Sequence, residues 1–555
     1  MSERAVVTTA RCLFALFASL CMSLGWCGEA HAGVAFALGE NGLTSLSFNN
    51  QQLLVNSRGN VRPVGYTPRL QGPDGAIVVP QDRPVTTWDA QGSKIRHQYS
   101  WGVVECTYVQ RGNTIGFTVR VTNTSTATII QALDLDIAEL AFTAIPSGRV
   151  LEAGMWGQGG GWRPLHEIPL IAKSDQMPPA IFVNFAGGAL AFTNDGDPSA
   201  ASRSTVAIPF TSNPTTKLTY PLRISFPPIA AGKSIRAAVS LRFAGPDASA
   251  QELAGDVLQR YRDAYPYAVN WPDRRPIGAL FLATSQRHPD KNPRGWFSNA
   301  GDVDVTTPGG LAKWRARLMK YADDSIKILK DVDAQGMITW DPEGEEFPSA
   351  TYYGDPRLMP RLAPETDFTG GRALGALDEY FQKFQDAGLK TGLTLRPQTI
   401  EFRNGLPFQK FVEDPTQELL DKIEYARARW GCTLFYIDST YDGVGSLNAD
   451  VFRTIAERYP DILVMPENEN FRDFVYSAPL NSFHHHNVTS TPASVREVYG
   501  EAFSTLLVTT TEEKMRAGYA ALVDAVRRGD VLIVNAWYAG KHTEFVKSIY
   551  RDAGQ

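Results

Sequence analysis

The sequence predicts two domains of different class, an N-terminal antiparallel β-sandwich followed by a (β/α)8 TIM barrel. Three observations lead to this prediction. Short runs of alternating apolar and polar residues, separated by turn residues, fill the first half of the chain. After Pro276 the pattern changes to apolar runs of strand length that alternate with helical periodicity. Eight such strand–helix units fit into residues 276–555, which is the usual size of this barrel.

Residues 1–32 have the pattern of a secretory signal peptide. Arg4 and Arg11 supply positive charge, residues 13–24 form an apolar run, and Ala30-His31-Ala32 fits the small-x-small cleavage rule. The apolar run is short for a bilayer span, which favours a cleaved signal over the alternative, a signal anchor. Since no later segment approaches the length of a membrane span, we expect a protein that is secreted or periplasmic.

Residues 33–245 are predicted to form the β-sandwich domain. Period-two alternation is clear in Gly116–Thr122 and in Ser234–Phe243, and turn signals such as Gly72-Pro73-Asp74-Gly75 separate the runs. Long helical periodicity is absent from this half of the sequence, so an antiparallel sandwich is the expected architecture.

Residues 246–275 are predicted to be a helical linker. Ser249 and Glu252 have the spacing of a capping box, which opens a helix that we expect to run to about Tyr265. A proline-bearing stretch then leads to Pro276, where the barrel begins.

The barrel prediction for residues 276–555 depends on eight strand candidates, of which the sixth is separated from the fifth by only a short segment. An open doubly wound sheet is the alternative, but a glycine-rich phosphate-binding turn is missing after Thr284. The eight candidates are Ile277–Thr284, Gly336–Asp341, Thr391–Arg396, Thr433–Asp438, Ile462–Glu467, Asn481–His485, Phe503–Thr509 and Val531–Ala536. The helical patterns between them are Leu311–Val332, Leu377–Ala387, Pro415–Trp430, Ala449–Tyr459 and Thr511–Arg528.

Charge and cysteine content exclude some classes of function. A formal net charge of −5 over 555 residues gives no basic field, which argues against nucleic acid as a partner. Of the five cysteines, Cys106 and Cys432 lie beyond the signal peptide, each inside a predicted strand of a different domain. We therefore expect two buried free thiols and neither a disulfide nor a cysteine metal site.

Two carboxylates follow neighbouring barrel strands and are the candidate catalytic residues. Asp438 ends the fourth strand and Glu467 ends the fifth, and the carboxyl ends of barrel strands form the active face. Two such acids suit glycoside hydrolysis, with Asp438 as the nucleophile and Glu467 as the proton donor; Glu469 is the alternative donor. The competing interpretation is that each acid caps a helix or pairs with an arginine.

Other polar and aromatic residues gather at the same strand ends and are expected to bind substrate. Asp341 and Glu343 could hold sugar hydroxyls or a hard cation, although Pro342 between them also indicates a turn. Arg396 could lower the pKa of the nucleophile or form an ordinary salt bridge. The full set of expected substrate-binding residues is Trp340, Asp341, Glu343, Arg396, Glu469, His484, His486 and Trp537.

The histidines at the sixth strand end admit a zinc site as an alternative. His484 and His486 would share one face of a strand and could both contact one ion. A catalytic zinc normally needs a third ligand, and HExxH and Walker-type motifs are absent from the sequence. We expect contact with sugar here, with simple packing as the other alternative, and neither a metal nor a cofactor.

The signal peptide, β-domain, helical linker and barrel with acids on strands four and five resemble secreted glycoside hydrolases of the α-amylase-like kind. The domain order is most similar to endo-α-N-acetylgalactosaminidase-type enzymes, in which a β-supersandwich precedes the barrel. In that group an Asp after strand four is the nucleophile and a Glu after strand five is the acid/base, which corresponds to Asp438 and Glu467. Tyr436 stands where α-amylases carry an arginine. The α-galactosidase-like group is also similar but takes its acid from strand six.

These observations together predict an exported, retaining glycosidase that acts on an oligosaccharide, polysaccharide or glycoconjugate, with the α linkage implied by the resemblance. Retention requires the two carboxyl groups to lie about 5–5.5 Å apart, whereas about 6.5–9.5 Å would indicate inversion. The alternatives are a carbohydrate-binding protein on a barrel scaffold that has lost catalysis, and a metal-dependent hydrolase. The sugar and the oligomeric state are left open by the sequence.

Overall fold

The computed structural model describes most of the chain from Gly33 onward, and the predicted signal peptide lies outside the described residues. The described ranges are 33–39, 42–54, 65–89, 91, 93–141, 149–151, 162–164, 178–200, 204–208, 219–283, 290–297, 301–344, 353–443, 445–467, 470–482, 490–509, 511–536 and 541–555. The chain divides into two compact units, with the main boundary between Gly255 and Asp256.

The part of the chain before Ala250 is built from β-strands. In chain order they are β1 (Val34–Gly39), β2 (Gly42–Phe48), β3 (Gln51–Gln52), β4 (Gly65–Gln71), β5 (Ile77–Val78), β6 (Val85–Asp89), β7 (Lys94–Gln98), β8 (Gly102–Arg111), β9 (Thr114–Asn123), β10 (Ile129–Ala141), β11 (Arg149–Leu151), β12 (Trp162–Pro164), β13 (Ala180–Phe185), β14 (Gly188–Asn194), β15 (Thr205–Ala207), β16 (Thr219–Phe226) and β17 (Ser234–Ala244). Among the described residues these strands form sheets of three (β1-β2-β3), five (β15-β16-β10-β4-β5) and nine strands (β12-β11-β13-β14-β17-β9-β8-β7-β6).

The two runs with period-two alternation, Gly116–Thr122 and Ser234–Phe243, lie in β9 and β17, which are neighbours in the nine-stranded sheet. β9 and β17 are antiparallel neighbours, with Val119 opposite Ala237 and Phe117 opposite Val239. These four side chains are buried, while the residues between them point to the other face, as the alternation of a strand requires. The predicted antiparallel β-sandwich class is confirmed.

A helix, α1 (Ala250–Ala264), follows the β-domain and carries the predicted capping box. The amide of Ser249 donates to Glu252 Oε2 at 2.7 Å, and the amide of Glu252 donates to Ser249 Oγ at 3.2 Å. These two bonds satisfy donors that the first turn would otherwise leave free. Ala254 departs from helical geometry and marks a kink next to the boundary between the two units.

The second unit contains the eight-stranded parallel barrel, and each predicted strand is present, which confirms the barrel. The strands are β18 (Ile277–Phe281), β19 (Gly336–Trp340), β20 (Gly392–Leu395), β23 (Leu434–Ile437), β24 (Leu463–Pro466), β25 (Leu480–Ser482), β26 (Thr505–Leu507) and β27 (Val531–Asn535). A short hairpin, β21 (Thr399–Arg403) and β22 (Leu406–Lys410), follows β20. The helices are α2 (Pro308–Asp331), α3 (Met359–Leu362), α4 (Ala376–Asp386), α5 (Pro415–Trp430), α6 (Asp450–Arg458), α7 (Asp473–Tyr476), α8 (Ala493–Val498), α9 (Glu512–Ala517), α10 (Tyr519–Arg527) and α11 (Lys541–Ala553), with 3-10 turns at Pro356–Leu358 and Pro364–Asp367.

The barrel closes at a seam between its fifth and sixth strands. The ladder runs β24-β23-β20-β19-β18-β27-β26-β25, so β24 and β25 stand at its two ends. Across the seam the amide of Ala478, just before β25, donates to the carbonyl of Val464 in β24 at 2.9 Å. The sixth strand is three residues long, shorter than the predicted Asn481–His485, of which residues 483–485 lie outside the described part.

Buried apolar side chains from successive strands fill the barrel. Ile277, Ile338, Leu434, Leu463 and Ile533 belong to one cluster and are fully buried. The predicted single helix Thr511–Arg528 is instead two helices that meet at Gly518, where a glycine without a side chain weakens helical continuity.

Cys106 and Cys432 are buried free thiols, as predicted. Among the described residues, no helix has the length and apolar character needed to cross a membrane.

Candidate active site

The two candidate catalytic acids follow neighbouring strands directly. Ile437 of β23 is paired with Pro466 of β24, so Asp438 and Glu467 are the next residues on each strand. The backbone pairing continues to both acids, because the amide of Asp438 donates to Leu395 at 2.8 Å and the amide of Glu467 donates to Ile437 at 2.9 Å. Both carboxylates are therefore fixed to the barrel through their own backbone.

The carboxyl groups of Asp438 and Glu467 act on each other, because the negative charge of Asp438 and a side-chain hydrogen bond with it both raise the pKa of Glu467. Glu467 Oε2 also accepts the backbone amide of Ser439 at 2.8 Å. The pKa of Glu467 is raised to about 7, first by burial of its carboxyl among protein atoms and then by the negative charge of Asp438. The amide of Ser439 and the positive charge of Arg396 oppose that rise. Glu467 still exposes part of its side chain to solvent.

Asp438 is held by an arginine and a tyrosine. Arg396 Nε donates to Asp438 Oδ2 at 2.6 Å, and a second guanidinium nitrogen contacts the same oxygen. Tyr436 Oη lies 3.4 Å from the other carboxylate oxygen. The side chain of Asp438 is only 8% exposed, so the guanidinium stabilises its negative charge in a site with little water. Arg396 Nη1 also donates to Gln409 of β22 at 3.1 Å, which fixes the arginine itself.

Two non-glycine residues at the strand ends have left-handed backbone conformations. Asp341 follows β19 with φ of +47°, and Ser439 comes one residue after Asp438 with φ of +54°. Such conformations cost about 1–3 kcal/mol each and concentrate at functional sites. Ser439 in this conformation donates its amide to Glu467. Because Ser439 directly follows Asp438 in the chain, this strained residue connects the two acids.

Trp340 is part of the barrel interior. Its ring lies 5.2 Å from that of Phe281 and 5.3 Å from that of Tyr436, measured between centroids. Only 3% of Trp340 is exposed. The three rings form an aromatic layer on strands β18, β19 and β23, and Tyr436 connects this layer to Asp438 through its hydroxyl.

Asp341 is fully buried and binds two backbone amides. Its two carboxylate oxygens accept the amides of Leu282 and Ala283 at 3.2 and 3.3 Å. These amides belong to the segment that follows β18, so Asp341 ties the end of the second strand to the end of the first.

Glu343 is also fully buried, and one of its carboxyl oxygens accepts the amide of Asp355 at 3.1 Å. The other oxygen has no hydrogen-bond partner among the described residues. The pKa of Glu343 is raised to about 7, chiefly by burial, and the charge of Asp355 contributes to the rise. Lys422 lies close enough for its charge to act in the opposite direction.

Two further polar residues contact the candidate site: Gln398, which lies at the end of the third strand but was assigned no role from the sequence, and Lys422, which was not predicted. Gln398 Nε2 donates to the carbonyls of Ser439 and Tyr441 at 2.9 and 2.6 Å. Lys422 of α5 is fully buried and reaches the loop that carries Arg396 and Gln398. A signal was available for the lysine, because Lys422 lies on the apolar face of a predicted helix, three residues after the buried Leu419.

An exposed aromatic pair, Phe411 and Tyr441, lies on the segments that follow β22 and β23. Phe411 and Tyr441 are 45% and 40% exposed, and their ring centroids are 5.6 Å apart in an edge-to-face arrangement. Phe411 directly follows β22, which contacts Arg396, and Tyr441 comes two residues after Ser439. Sequence reasoning did not single out either residue.

Four predicted site residues lie outside the described part of the chain: Glu469, His484, His486 and Trp537. The choice of Glu467 over Glu469 and the zinc alternative therefore stay predictions. Among the residues that the structure describes, no group of three or more histidines, cysteines or acids could hold a metal ion.

No protein-family model matches the chain, and no curated protein matches its sequence. Solved structures are similar over nearly the whole length. The α-N-acetylgalactosaminidase NagBb from Bifidobacterium bifidum, in complex with Gal-NHAc-DNJ, has a TM-score of 0.54 at 12% identity, over 94% of this chain and 92% of that one. Its complex with GalNAc has a TM-score of 0.50 at 11% identity over the same shares. At this identity the likeness shows the fold: a β-sandwich followed by a barrel, the architecture that the sequence resemblance implied.

Proposed function

We propose that this protein is an exported glycosidase that cleaves its substrate with retention of configuration, using Asp438 and Glu467. The observation that carries the proposal is the position of these two carboxyl groups at the ends of paired strands, one bound to a guanidinium and the other with a raised pKa. Two acids in different electrostatic surroundings are the arrangement by which glycosidases separate nucleophile from proton donor.

Asp438 is assigned as the nucleophile. Its pairing with Arg396 at 2.6 Å stabilises the ionised carboxylate. One carboxylate oxygen of Asp438 attacks the anomeric carbon while the bond from that carbon to the leaving oxygen breaks. This step forms a glycosyl ester on Asp438.

Glu467 is assigned as the acid and then the base. With a pKa of about 7 its carboxyl is partly protonated at neutral pH, and the protonated form gives its proton to the leaving oxygen. In the second step Glu467 takes a proton from a water molecule, the resulting oxygen attacks the anomeric carbon, and the ester bond to Asp438 breaks. Both acids return to their starting protonation states.

The interaction between the carboxyl groups supports retention over inversion. An inverting enzyme separates its acids to leave space for a water molecule on the opposite face of the sugar. Asp438 and Glu467 end neighbouring strands and interact strongly enough to raise the pKa of Glu467, which favours the shorter separation of a retaining pair.

Phe411 and Tyr441 are proposed to bind the leaving-group side of the substrate. The loop of Tyr441 is bonded to the proton donor through Ser439, and the proton donor acts on the leaving oxygen. Sugar rings present C–H faces that pack well on exposed aromatic rings, so this pair suits a second sugar of an oligosaccharide or glycoconjugate.

Terminal α-linked N-acetylgalactosamine is the first substrate to test, since the similar barrel protein is named for that activity. Export is proposed from residues 1–32, whose pattern is that of a cleaved signal. N-terminal sequencing of the mature protein tests it, and a start near Gly33 is the expected result.

The test of the function is a panel of aryl α- and β-glycosides, beginning with N-acetylgalactosaminides, assayed with the wild type and with Asp438→Asn. We expect turnover on an α-glycoside and a loss of several orders of magnitude in the variant, about the scale at which nucleophile removal acts elsewhere. Asp461→Asn, the same change at the opposite end of β24, is the matched control and should keep full activity.

The stereochemical outcome is read by proton NMR of the first sugar released, which should be the α anomer. A first-formed β anomer would contradict retention. Full activity of Asp438→Asn, or no turnover on any member of the panel, would overturn the assignment of this site.

A further inference from the structure

Lys422 is a lysine with no exposed surface, and it points at a backbone segment of the candidate site. Its Nζ donates to the carbonyls of Arg396 and Gln398, both at 2.7 Å. Two acids accompany it: Glu418 one turn earlier on the same helix at 3.2 Å, and Asp355 at 3.9 Å. A buried ammonium is costly unless it is paired and hydrogen-bonded in this way.

The two carbonyls belong to the residues that hold the two catalytic acids. Arg396 pairs with Asp438, and Gln398 donates to the carbonyl of Ser439, whose amide binds Glu467. One ammonium group thus bridges the backbone of both supporting residues. The described partners of this ammonium are these two carbonyls, Asp355 and Glu418, and they include neither Asp438 nor Glu467.

A second contact holds the same segment from its other end. The amide of Arg396 donates to the carbonyl of Gly354 at 3.0 Å. Gly354 has φ of +58°, and a Cβ at this position would lie 2.6 Å from the amide nitrogen of Arg396. The neighbouring Asp355 is bound by Arg357 at 2.7 Å, which also contacts Glu418 at 2.5 Å. The acids around Lys422 are therefore fixed as well.

We infer that Lys422 is a positioning residue, which sets the distance between Arg396 and Asp438 and the orientation of Ser439 toward Glu467 by clamping the Arg396–Gln398 backbone. This inference rests on the proposed function. Without the ammonium, two carbonyls lose their donor, and the buried Asp355 and the partly buried Glu418 lose a counter-charge, so the segment must shift to reach water or new partners.

Such a shift affects turnover more than binding, because the segment supports the reacting carboxylates. A displacement of about 1 Å in a catalytic group costs about 10²-fold in rate. The shift of the segment also changes the pKa of Glu467, because the charge of Arg396 lowers that pKa and the charge of Asp438 raises it. When Arg396 moves away, the pKa of Glu467 rises, and the alkaline limb of the activity profile moves to higher pH.

The experiment compares Lys422→Met with the wild-type protein on an aryl glycoside that the wild type hydrolyses. Methionine keeps the length and the apolar stem while removing the donors. We expect kcat to fall about 10²-fold, KM to change less than threefold, and the alkaline limb to move upward. Carbon-13 NMR titration of Glu467 follows the same shift without substrate, so it reads the positioning even if turnover is lost.

Arg496→Met is the matched control for the loss of a buried ion pair. Arg496 pairs with the fully buried Asp530 at 2.9 Å, directly before β27 and so at the opposite end of the barrel. We expect a comparable fall in melting temperature for this variant, with kcat and the pH profile unchanged.

If Lys422→Met does not fold, Lys422→Arg keeps the charge beside Glu418 and Asp355 but cannot place one nitrogen between both carbonyls. It should show the same fall in kcat and the same direction of pH shift. The inference would be overturned by a folded Lys422 variant whose kcat, alkaline pH limb and Glu467 titration all equal those of the wild-type protein. A wild type without turnover on any glycoside would overturn the proposed function instead.

Discussion

The backbone amide of Ser439 donates to Glu467 Oε2 at 2.8 Å. Ser439 is the residue after Asp438, so the strand that bears one acid also binds the other acid. Its left-handed conformation is uncommon for a residue with a side chain. The hydrogen bond therefore depends on a strained position that is held by Gln398 through the carbonyl of the same residue.

Replacing Glu467 with alanine should separate substrates by their leaving groups. We expect a large loss of kcat on glycosides with poor leaving groups, which need a proton, and a much smaller loss on aryl glycosides that depart unaided. Added azide should restore the rate by attacking the glycosyl ester on Asp438. Steady-state kinetics across a series of aryl glycosides measures both effects. If Glu469→Ala shows this pattern and Glu467→Ala does not, Glu469 is the acid.

The activity should decline as pH rises through about 7. The pKa of Glu467 is raised to about 7, so its carboxyl is protonated below that pH and loses the catalytic proton above it. A profile of kcat/KM from pH 4 to 9 checks this, because it reports the free enzyme. An alkaline limb below pH 5.5 would contradict the assignment of Glu467 as the acid.

Glu343→Gln should change the pH dependence of stability. The folded-state pKa of Glu343 is about 7, above its usual value of 4.5. The unfolded chain thus ionises first, and the native protein loses stability as pH rises from about 4.5 to 7. That loss amounts to about 3 kcal/mol. The glutamine variant does not undergo this loss of stability. Its melting temperature minus that of the wild type should therefore be larger at pH 8 than at pH 5. An equal difference at both values would count against a buried, neutral Glu343.

Phe411→Ala and Tyr441→Ala should weaken binding on the leaving-group side only. Aromatic contacts are worth about 0.5–1.5 kcal/mol, so KM on a disaccharide should rise up to about tenfold. A glycosyl fluoride has no ring on that side and should keep its KM. Leu374→Ala, which removes another exposed apolar side chain of this unit, is the control. A matching rise in KM on the fluoride would place the aromatic pair elsewhere in the cleft.

Exhaustive chelation should leave activity intact. Two carboxylates carry both steps of the proposed mechanism, and neither step calls for a metal. Dialysis against EDTA and 1,10-phenanthroline followed by the aryl glycoside assay is sufficient. Loss of activity that zinc restores would instead support His484 and His486 as ligands.

Much of the fold could be predicted because its signals are local. Apolar runs such as Leu434–Ile437 have strand length, and an acid directly after each run indicates which strand end faces the site. The same logic located Asp438 and Glu467, and the register of β23 and β24 placed them side by side. The capping box at Ser249 was likewise visible in the sequence because both of its partners lie within four residues.

The supporting contacts could not be predicted because they join distant parts of the chain. Lys422 reaches Arg396 across 26 residues, and Gln398 reaches Tyr441 across 43. Glu343 and Asp341 were expected to bind substrate from their place after β19, but their direction depends on the backbone after the strand. The left-handed φ of Asp341 turns its carboxylate toward the amides of Leu282 and Ala283, a path that residue type alone does not specify.

The seam of the barrel gives the two acids unequal mechanical support. β23, which ends at Asp438, has ladder neighbours on both sides, whereas β24, which ends at Glu467, stands last in the ladder. Among the described residues, β24 has on its free side the backbone bond from Ala478 to Val464. Asp438, the proposed nucleophile, thus ends a strand paired on both sides, whereas Glu467, the proposed acid, ends a strand with one ladder neighbour. The first arrangement suits a group that must meet one carbon along one line, and the second suits a group that must follow an oxygen that departs and a water that replaces it.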